Sequence, residues 1–227
     1  MEDSVVKRAI VMAISVILAL MVAAPMASGK TASPSQTNLG ALTGDWWNWA
    51  ASQDPSPLEG SYEGGAQCDG EYVDGVFFLA GTTGGDASRT CTVPADTPIL
   101  FPVFNVVCSE AYGAAGQDPP DPTPYDTACA KPLTDFYLAN GDTYATLDGR
   151  KLKTRRIASG LFDWNIQFEN NPFYPGGLPV GTWESASDGI WVYLPAGLDP
   201  GEYTLEFGGE FFDGGVSLNI TYDLIVV

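Results

Sequence analysis

Apolar and polar residues alternate with a period of two along several stretches, the mark of strands with one buried face. The clearest lies at the C-terminus. There Val216, Leu218, Ile220, Tyr222, Leu224 and Val226 share one face, and Ser217, Asn219, Thr221 and Asp223 share the other. Phe162, Trp164, Ile166 and Phe168 alternate with Asp163, Asn165 and Gln167, and Tyr203, Leu205 and Phe207 with Glu202, Thr204 and Glu206. Asp148-Gly149 separates 143–147 from 150–157 and predicts a hairpin, because both central positions of a type I′ turn favour Asp, Asn or Gly. Two continuous apolar runs, 76–80 and 99–107, read as strands buried on both faces, with Pro102 forcing a bulge or an edge into the second.

Helical spacing is scarce. Trp46, Trp49 and Ala50 stand at i, i+3, i+4 and predict a helix over 45–52, with Thr43 as its cap and Pro55 beyond its end. A second short turn is expected at 133–139. The segment DPPDPTP at 118–124 is expected to be an extended or turning loop. The segment 74–80 (DGVFFLA) echoes 188–194 (DGIWVYL), as two strands entered by the same Asp-Gly turn would. Many short strands separated by turn residues predict an all-β fold. We expect an antiparallel β-sandwich, jelly-roll or immunoglobulin-like, with one or two short helices.

The N-terminus changes the compartment in which this fold is read. Lys7-Arg8 precede an unbroken apolar run, 9–24, followed by Pro25 and the small residues Ala27, Ser28 and Gly29. That order predicts a signal peptide over 1–29 and a secreted or cell-surface protein. The rival is an uncleaved anchor over 9–27, which would be the chain's one route to a membrane. Residues 30–43 are polar and read as a flexible tether, leaving 44–227 as one sandwich domain. In that compartment Cys68, Cys91, Cys108 and Cys129 read as disulfides, with Cys68–Cys91 and Cys108–Cys129 the favoured local closures.

Charge narrows the chemistry. The 227 residues include 28 Asp and Glu, 10 Lys and Arg and no His, for a net charge of −18. Without His there is no imidazole for a Ser-His-Asp or Cys-His nucleophile or a proton shuttle. The net charge repels nucleic acid, which is not an expected partner.

Several segments together resemble a family of exported prokaryotic proteins: WWNWA at 46–50, VFFLAG at 76–81, RTCTVPA at 89–95, ATLDG at 145–149 and LDPGEYT at 198–204. Asp96 stands where the family pattern carries Gly. The resemblance implies an exported β-rich fold and supplies no catalytic residues. The acid-rich, lysine-poor composition is similar to that of proteins from salt-loving microbes.

The candidate contacts are local. Three Trp within 46–49 cannot all face inward from one helix, so Trp47 is expected near the surface as a ligand contact, with Phe173 and Tyr174 on the loop 170–177. Arg150, Lys151, Lys153, Arg155 and Arg156 are five of the ten Lys and Arg, and form a candidate basic docking patch with Lys151, Lys153 and Arg155 on one strand face. Asn219-Ile220-Thr221 is a candidate N-glycosylation site. No cofactor is expected; a structural calcium is the one candidate, held by Asp69, Glu71 and Asp74 or by Asp118, Asp121 and Asp126. Glu202 and Glu206 share a strand face but read as solvated charge. The reading is a non-catalytic binding or structural protein of the cell surface, with a glycan or another surface component as partner. Its alternatives are a carbohydrate-binding module or carboxylate-based polysaccharide hydrolase, and a subunit of a surface assembly.

Overall fold

The computed structural model describes residues 36–59, 72–73, 75–116, 127–211 and 215–227. In chain order the elements begin with α1 (Gln36–Ala51), β1 (Tyr72–Val73), β2 (Val76–Phe78), β3 (Gly85–Val93), β4 (Ile99–Ser109) and α2 (Glu110–Ala114). A 3-10 turn (Thr127–Cys129) leads into α3 (Ala130–Leu138), then β5 (Asp142–Leu147), β6 (Arg150–Lys151) and β7 (Thr154–Ile166). The chain ends with β8 (Gly181–Leu194), β9 (Gly201–Phe211) and β10 (Val216–Val226).

Among the described residues the strands form two five-stranded sheets, ordered β1-β2-β4-β8-β7 and β3-β10-β9-β5-β6. Their facing sides supply one core. Phe101, Val103 and Val192 of the first sheet meet Ala87, Leu205, Phe207, Ile220 and Tyr222 of the second. Phe101 and Phe207 lie 4.6 Å apart between ring centroids, and Phe104 and Phe211 4.3 Å. The sandwich expected from the alternation is therefore present. Burial along β10 follows its alternating residues, and Asp148 and Gly149 take φ of 50° and 73° in the β5–β6 turn. Two pairings are parallel rather than antiparallel, β2 with β4 and β3 with β10. Alternation identifies which face of a strand is buried, but not which neighbour it takes or in what direction. Asp96 sits at φ 56°, in the left-handed region that Gly favours and Asp tolerates.

Helix α1 adds a third layer on the outer face of the first sheet, and a second core forms beneath it. Leu39, Leu42, Trp46 and Trp49 pack there with Phe78, Leu100, Ile157, Trp164 and Trp191. The helix begins at Gln36, so 36–43 are helical and not a tether. Gly40 lets the helix lie close to β7: a Cβ there would sit 2.8 Å from the Ala158 carbonyl oxygen. Thr43, expected as a cap, lies inside the helix and donates its hydroxyl to the Gly40 carbonyl at 2.8 Å. All three tryptophans are buried, Trp46 at 0%, Trp47 at 6% and Trp49 at 4% exposure. The expected surface position of Trp47 is thus corrected. Its ring is covered by Trp164, 5.5 Å away, and by Phe173 of the 170–177 loop, 6.0 Å away.

Pro102 interrupts the β4–β8 register, which shifts between Pro102 and Phe104. Asp188-Gly189 lies in the middle of β8, so its likeness to 74–80 does not mark a shared entry turn. A disulfide joins Cys108 at the end of β4 to Cys129 before α3. Cys91 is disulfide-bonded as well, and Cys68 lies outside the described residues.

Candidate functional site

Strand β2 stops at Phe78, opposite Leu100, while β4 continues to Ser109. Beyond that point a cleft of about 670 Å³ opens beside β4. Every residue from 102 to 107 lines it. Successive side chains of a strand point to opposite faces, so a wall containing six in a row is the strand's edge. Trp47 of α1 and the loop residues Phe173 and Tyr174 flank one end of this wall. Tyr112 of α2, Tyr137 of α3 and Leu218 of β10 also line the cleft, and Thr82 and Thr83 bring hydroxyls to it.

The three aromatic residues singled out in the sequence are therefore brought to one place. They form a wall, not an exposed platform. Phe173 packs edge-on against Trp164 at 4.8 Å, and Tyr174 edge-on against Tyr112 at 6.3 Å. Their loop is closed from within by Asn171, whose side-chain amide donates to the carbonyls of Phe168 (2.6 Å) and Leu178 (2.9 Å). The Leu178 N–H returns a bond to the Asn171 carbonyl oxygen at 3.0 Å. Asn171 is buried, so these bonds are sheltered from water and fix the loop that carries Phe173 and Tyr174.

Another part of the wall is held by Arg89. Its guanidinium donates to the carbonyls of Pro57, Ala80 and Gly81 and to the Tyr222 hydroxyl, at 2.7–3.0 Å. These bonds place Leu58, Gly81 and Thr82 at the cleft. The Tyr222 hydroxyl in turn donates to the Ala80 carbonyl at 2.9 Å. Burial raises the Tyr222 pKa above its usual 10.0, against the opposing pull of Arg89.

The described lining of the cleft carries no charge. None of its described lining residues is Asp, Glu, Lys or Arg, in a chain whose net charge is −18. Two of its side chains carry a buried N–H donor without a hydrogen-bond partner among the described residues, Trp47 Nε1 and Asn105 Nδ2. Ser187 Oγ and Trp191 Nε1, which do not line the cleft, are likewise buried without a partner among the described residues. Asn105 was missed by sequence reasoning, although a signal was there. It is the lone amide in the apolar run 99–107, and a strand buried on both faces has no use for one.

The basic run is divided between the two sheets. Arg150 and Lys151 pair with β5 in the second sheet, and Arg155 pairs with Trp191 in the first, so the chain crosses between sheets near Lys153. Lys151, Lys153 and Arg155 are therefore not on one strand, though all three are exposed and Leu152 between them is half-buried. Arg156 is engaged inside the molecule. Its Nε donates to Asp188 Oδ2 at 2.9 Å, Nη2 binds the same oxygen, and Nη1 pairs with Asp135 on α3. Arg156 titrates higher than a free arginine, chiefly through its bond to Asp188, and Asp135 lower than a free aspartate, through its bonds to Lys131 and Arg156.

Asn219 is exposed on β10, with both ends of its amide in use. It donates to Asp86 Oδ1 at 2.9 Å and accepts from the Tyr144 hydroxyl at 3.2 Å. Tyr144 reaches it across Gly208, the residue between them in the ladder. Glu202 and Glu206 are exposed on β9, and Glu206 accepts a long bond from Thr146 at 3.4 Å. The candidate calcium ligands Asp69, Glu71, Asp74, Asp118, Asp121 and Asp126 lie outside the described residues, as does 1–29. Among the described residues no cluster of three acidic, Cys or His side chains could hold a metal ion, and no helix is long and apolar enough to cross a membrane.

No protein-family model matches the chain, and no curated protein or solved structure matches it either.

Proposed function

We propose that this chain is an exported, non-catalytic binding protein of the cell surface whose ligand sits in the cleft beside β4. The observation that carries the reading is a cleft whose described walls are rich in aromatic rings and carry no charged side chain. Ligand pockets have this composition, mostly apolar with a few placed polar groups, and 670 Å³ lies in their usual range of roughly 300–1,000 Å³. Export is supported by the charged, apolar and small-residue order of 1–29. The docking-subunit reading has less support, since Arg156 is committed to α3. The hydrolase reading needs two facing carboxylates, and the described walls of the cleft supply none.

The test is a ligand-observed NMR screen of neutral fragments and neutral oligosaccharides against the wild type and a Phe173→Ala/Tyr174→Ala variant. Hits that disappear in the variant but survive Glu202→Gln/Glu206→Gln support the cleft. A screen in which every hit is indifferent to Phe173 and Tyr174 overturns it.

A further inference from the structure

Resting on the reading of the cleft as a binding site, we infer that its ligand is an extended, uncharged peptide segment of another protein, which adds a strand to the first sheet along the open edge of β4. Pro102 creates that edge. Leu79 N–H donates to the Leu100 carbonyl at 3.1 Å, continuing the parallel pairing of β2 with β4. The next bond of such a ladder would run from the N–H of residue 102 to the Leu79 carbonyl, and proline has no N–H to give. The Leu79 carbonyl is taken instead by the Trp46 indole, at 2.9 Å. One residue on, the chain is held to the second sheet. Ala80 N–H donates to the Tyr222 hydroxyl at 3.2 Å, and its carbonyl accepts from Tyr222 and Arg89. The lane beside β4 is thus left by the segment that began it, and the cleft follows that lane along 102–107.

Beyond the break, β4 keeps backbone groups for a neighbour. Backbone directions alternate along a strand, and the Pro98 and Leu100 carbonyls point to the β2 side. The β4–β8 register shifts by one residue between Pro102 and Phe104. Carried through that shift, the alternation turns Phe104 and Val106 toward β8, and Asn105 and Val107 toward the cleft. Among the described residues, nothing bonds to the backbone of Asn105 or Val107 on that side. Val107 is only 7% exposed, and backbone groups so sheltered are nearly always paired. A row of N–H and C=O groups at strand spacing is met group for group by another extended backbone.

The walls set the character of that peptide. An added strand would lie between the layers that cover β4, with Trp47 and Phe173 on one side and Val216 and Leu218 on the other. A Lys, Arg, Asp or Glu in its middle would leave water and meet no counter-ion on the described lining. Ser or Thr is accommodated, because the Thr82 and Thr83 hydroxyls lie at the same cleft. The wall of 102–107 matches a segment of about six residues at roughly 3.4 Å each.

Two measurements on the full chain test this. In the free protein, NMR-detected hydrogen exchange at the Asn105 and Val107 amides should be about tenfold or more faster than at Phe104 and Val106, which pair with β8. Equal protection of all four overturns the inference. The second measurement screens a library of acetylated, amidated heptapeptides of Ala, Ser, Thr, Val, Ile and Tyr, with and without a central Lys or Glu. The tightest binder is then remade with N-methyl groups on either its odd or its even residues. A strand pairs with β4 through one edge only, so one set of methyls is expected to weaken binding about tenfold more than the other. Bound peptide should also protect the Asn105 and Val107 amides. The methyls sit on the peptide, so no variant has to fold. Equal effects of the two methyl sets, unprotected amides in the complex, or tighter binding of the Lys or Glu peptides overturns the inference. If no peptide binds while neutral fragments bind in a manner that depends on Phe173 and Tyr174, the inference falls and the cleft survives as a site. If neither peptides nor fragments bind in that manner, the binding reading itself falls.

Discussion

Replacing Arg156 by Met should destabilise the protein far more than removal of an ordinary surface charge. Asp188, on β8, is 3% exposed, and both Arg156 Nε and Nη2 donate to its Oδ2. The same guanidinium reaches α3 twice, at Asp135 and at the Lys131 carbonyl, and Thr134 of α3 donates to the Asp188 carbonyl at 3.2 Å. Removing one partner of a buried ion pair typically costs about 3–5 kcal/mol, because the other charge stays buried and unpaired. Here the Arg156 side chain is 35% exposed, so water can take up part of its role, and about 2–3 kcal/mol is the expected loss. For a domain of this size that lowers Tm by roughly 5–10 °C. Urea unfolding followed by near-ultraviolet circular dichroism gives the free energy. Two controls separate the buried pair from the surface one. Asp135→Asn should leave the stability nearly unchanged, as removal of an exposed pair does. Asp188→Asn placed on top of Arg156→Met should restore about 1–2 kcal/mol by removing the stranded charge. A loss below about 0.5 kcal/mol in Arg156→Met, or a double variant no more stable than the single one, would refute the reasoning.

Three further outcomes are expected. Since the folded pKa of Tyr222 is raised above its unfolded value near 10.0, the stability tied to its protonated form is complete below that pH and is lost as pH rises through the folded value. The difference in absorbance at 295 nm between wild type and Tyr222→Phe should therefore show no phenolate near pH 10 while the fold persists; a normal titration there contradicts the burial argument. Cys108→Ala/Cys129→Ala opens a loop closed over 21 residues and should cost about 3 kcal/mol in urea unfolding, against no change if the link is dispensable. Gly189→Ala puts a Cβ against the backbone of Phe104 and Asn105, an overpacking expected to cost about 1–3 kcal/mol; full stability would mean that β4 and β8 separate freely at the cleft.

The sequence and the structure agree where one rule governs a segment, and part where two compete. Alternation alone decides β10 and β9, and the Asp148-Gly149 turn is chemically specified, so both were legible. The first half of α1 was not. Its residues QTNLGALT have middling helix propensity, and the helix is carried by Leu39 and Leu42 in the core and by the close contact at Gly40. The basic run misled for a related reason. Five charges in seven residues look like one strand, but 152–153 carry the chain from one sheet to the other, and Arg156 pairs with the buried Asp188.

The cleft shows the same limit from the other side. An apolar run such as 99–107 reads as a strand covered on both faces, and β4 satisfies that with α1 on one side and the second sheet on the other. Its lateral edge carries no pattern in the sequence, because every residue contributes to an edge whichever way its side chain points. What betrays an edge is the residue that a closed core would exclude. Asn105 is that residue: half-buried, it lines the cleft from the middle of an otherwise apolar strand.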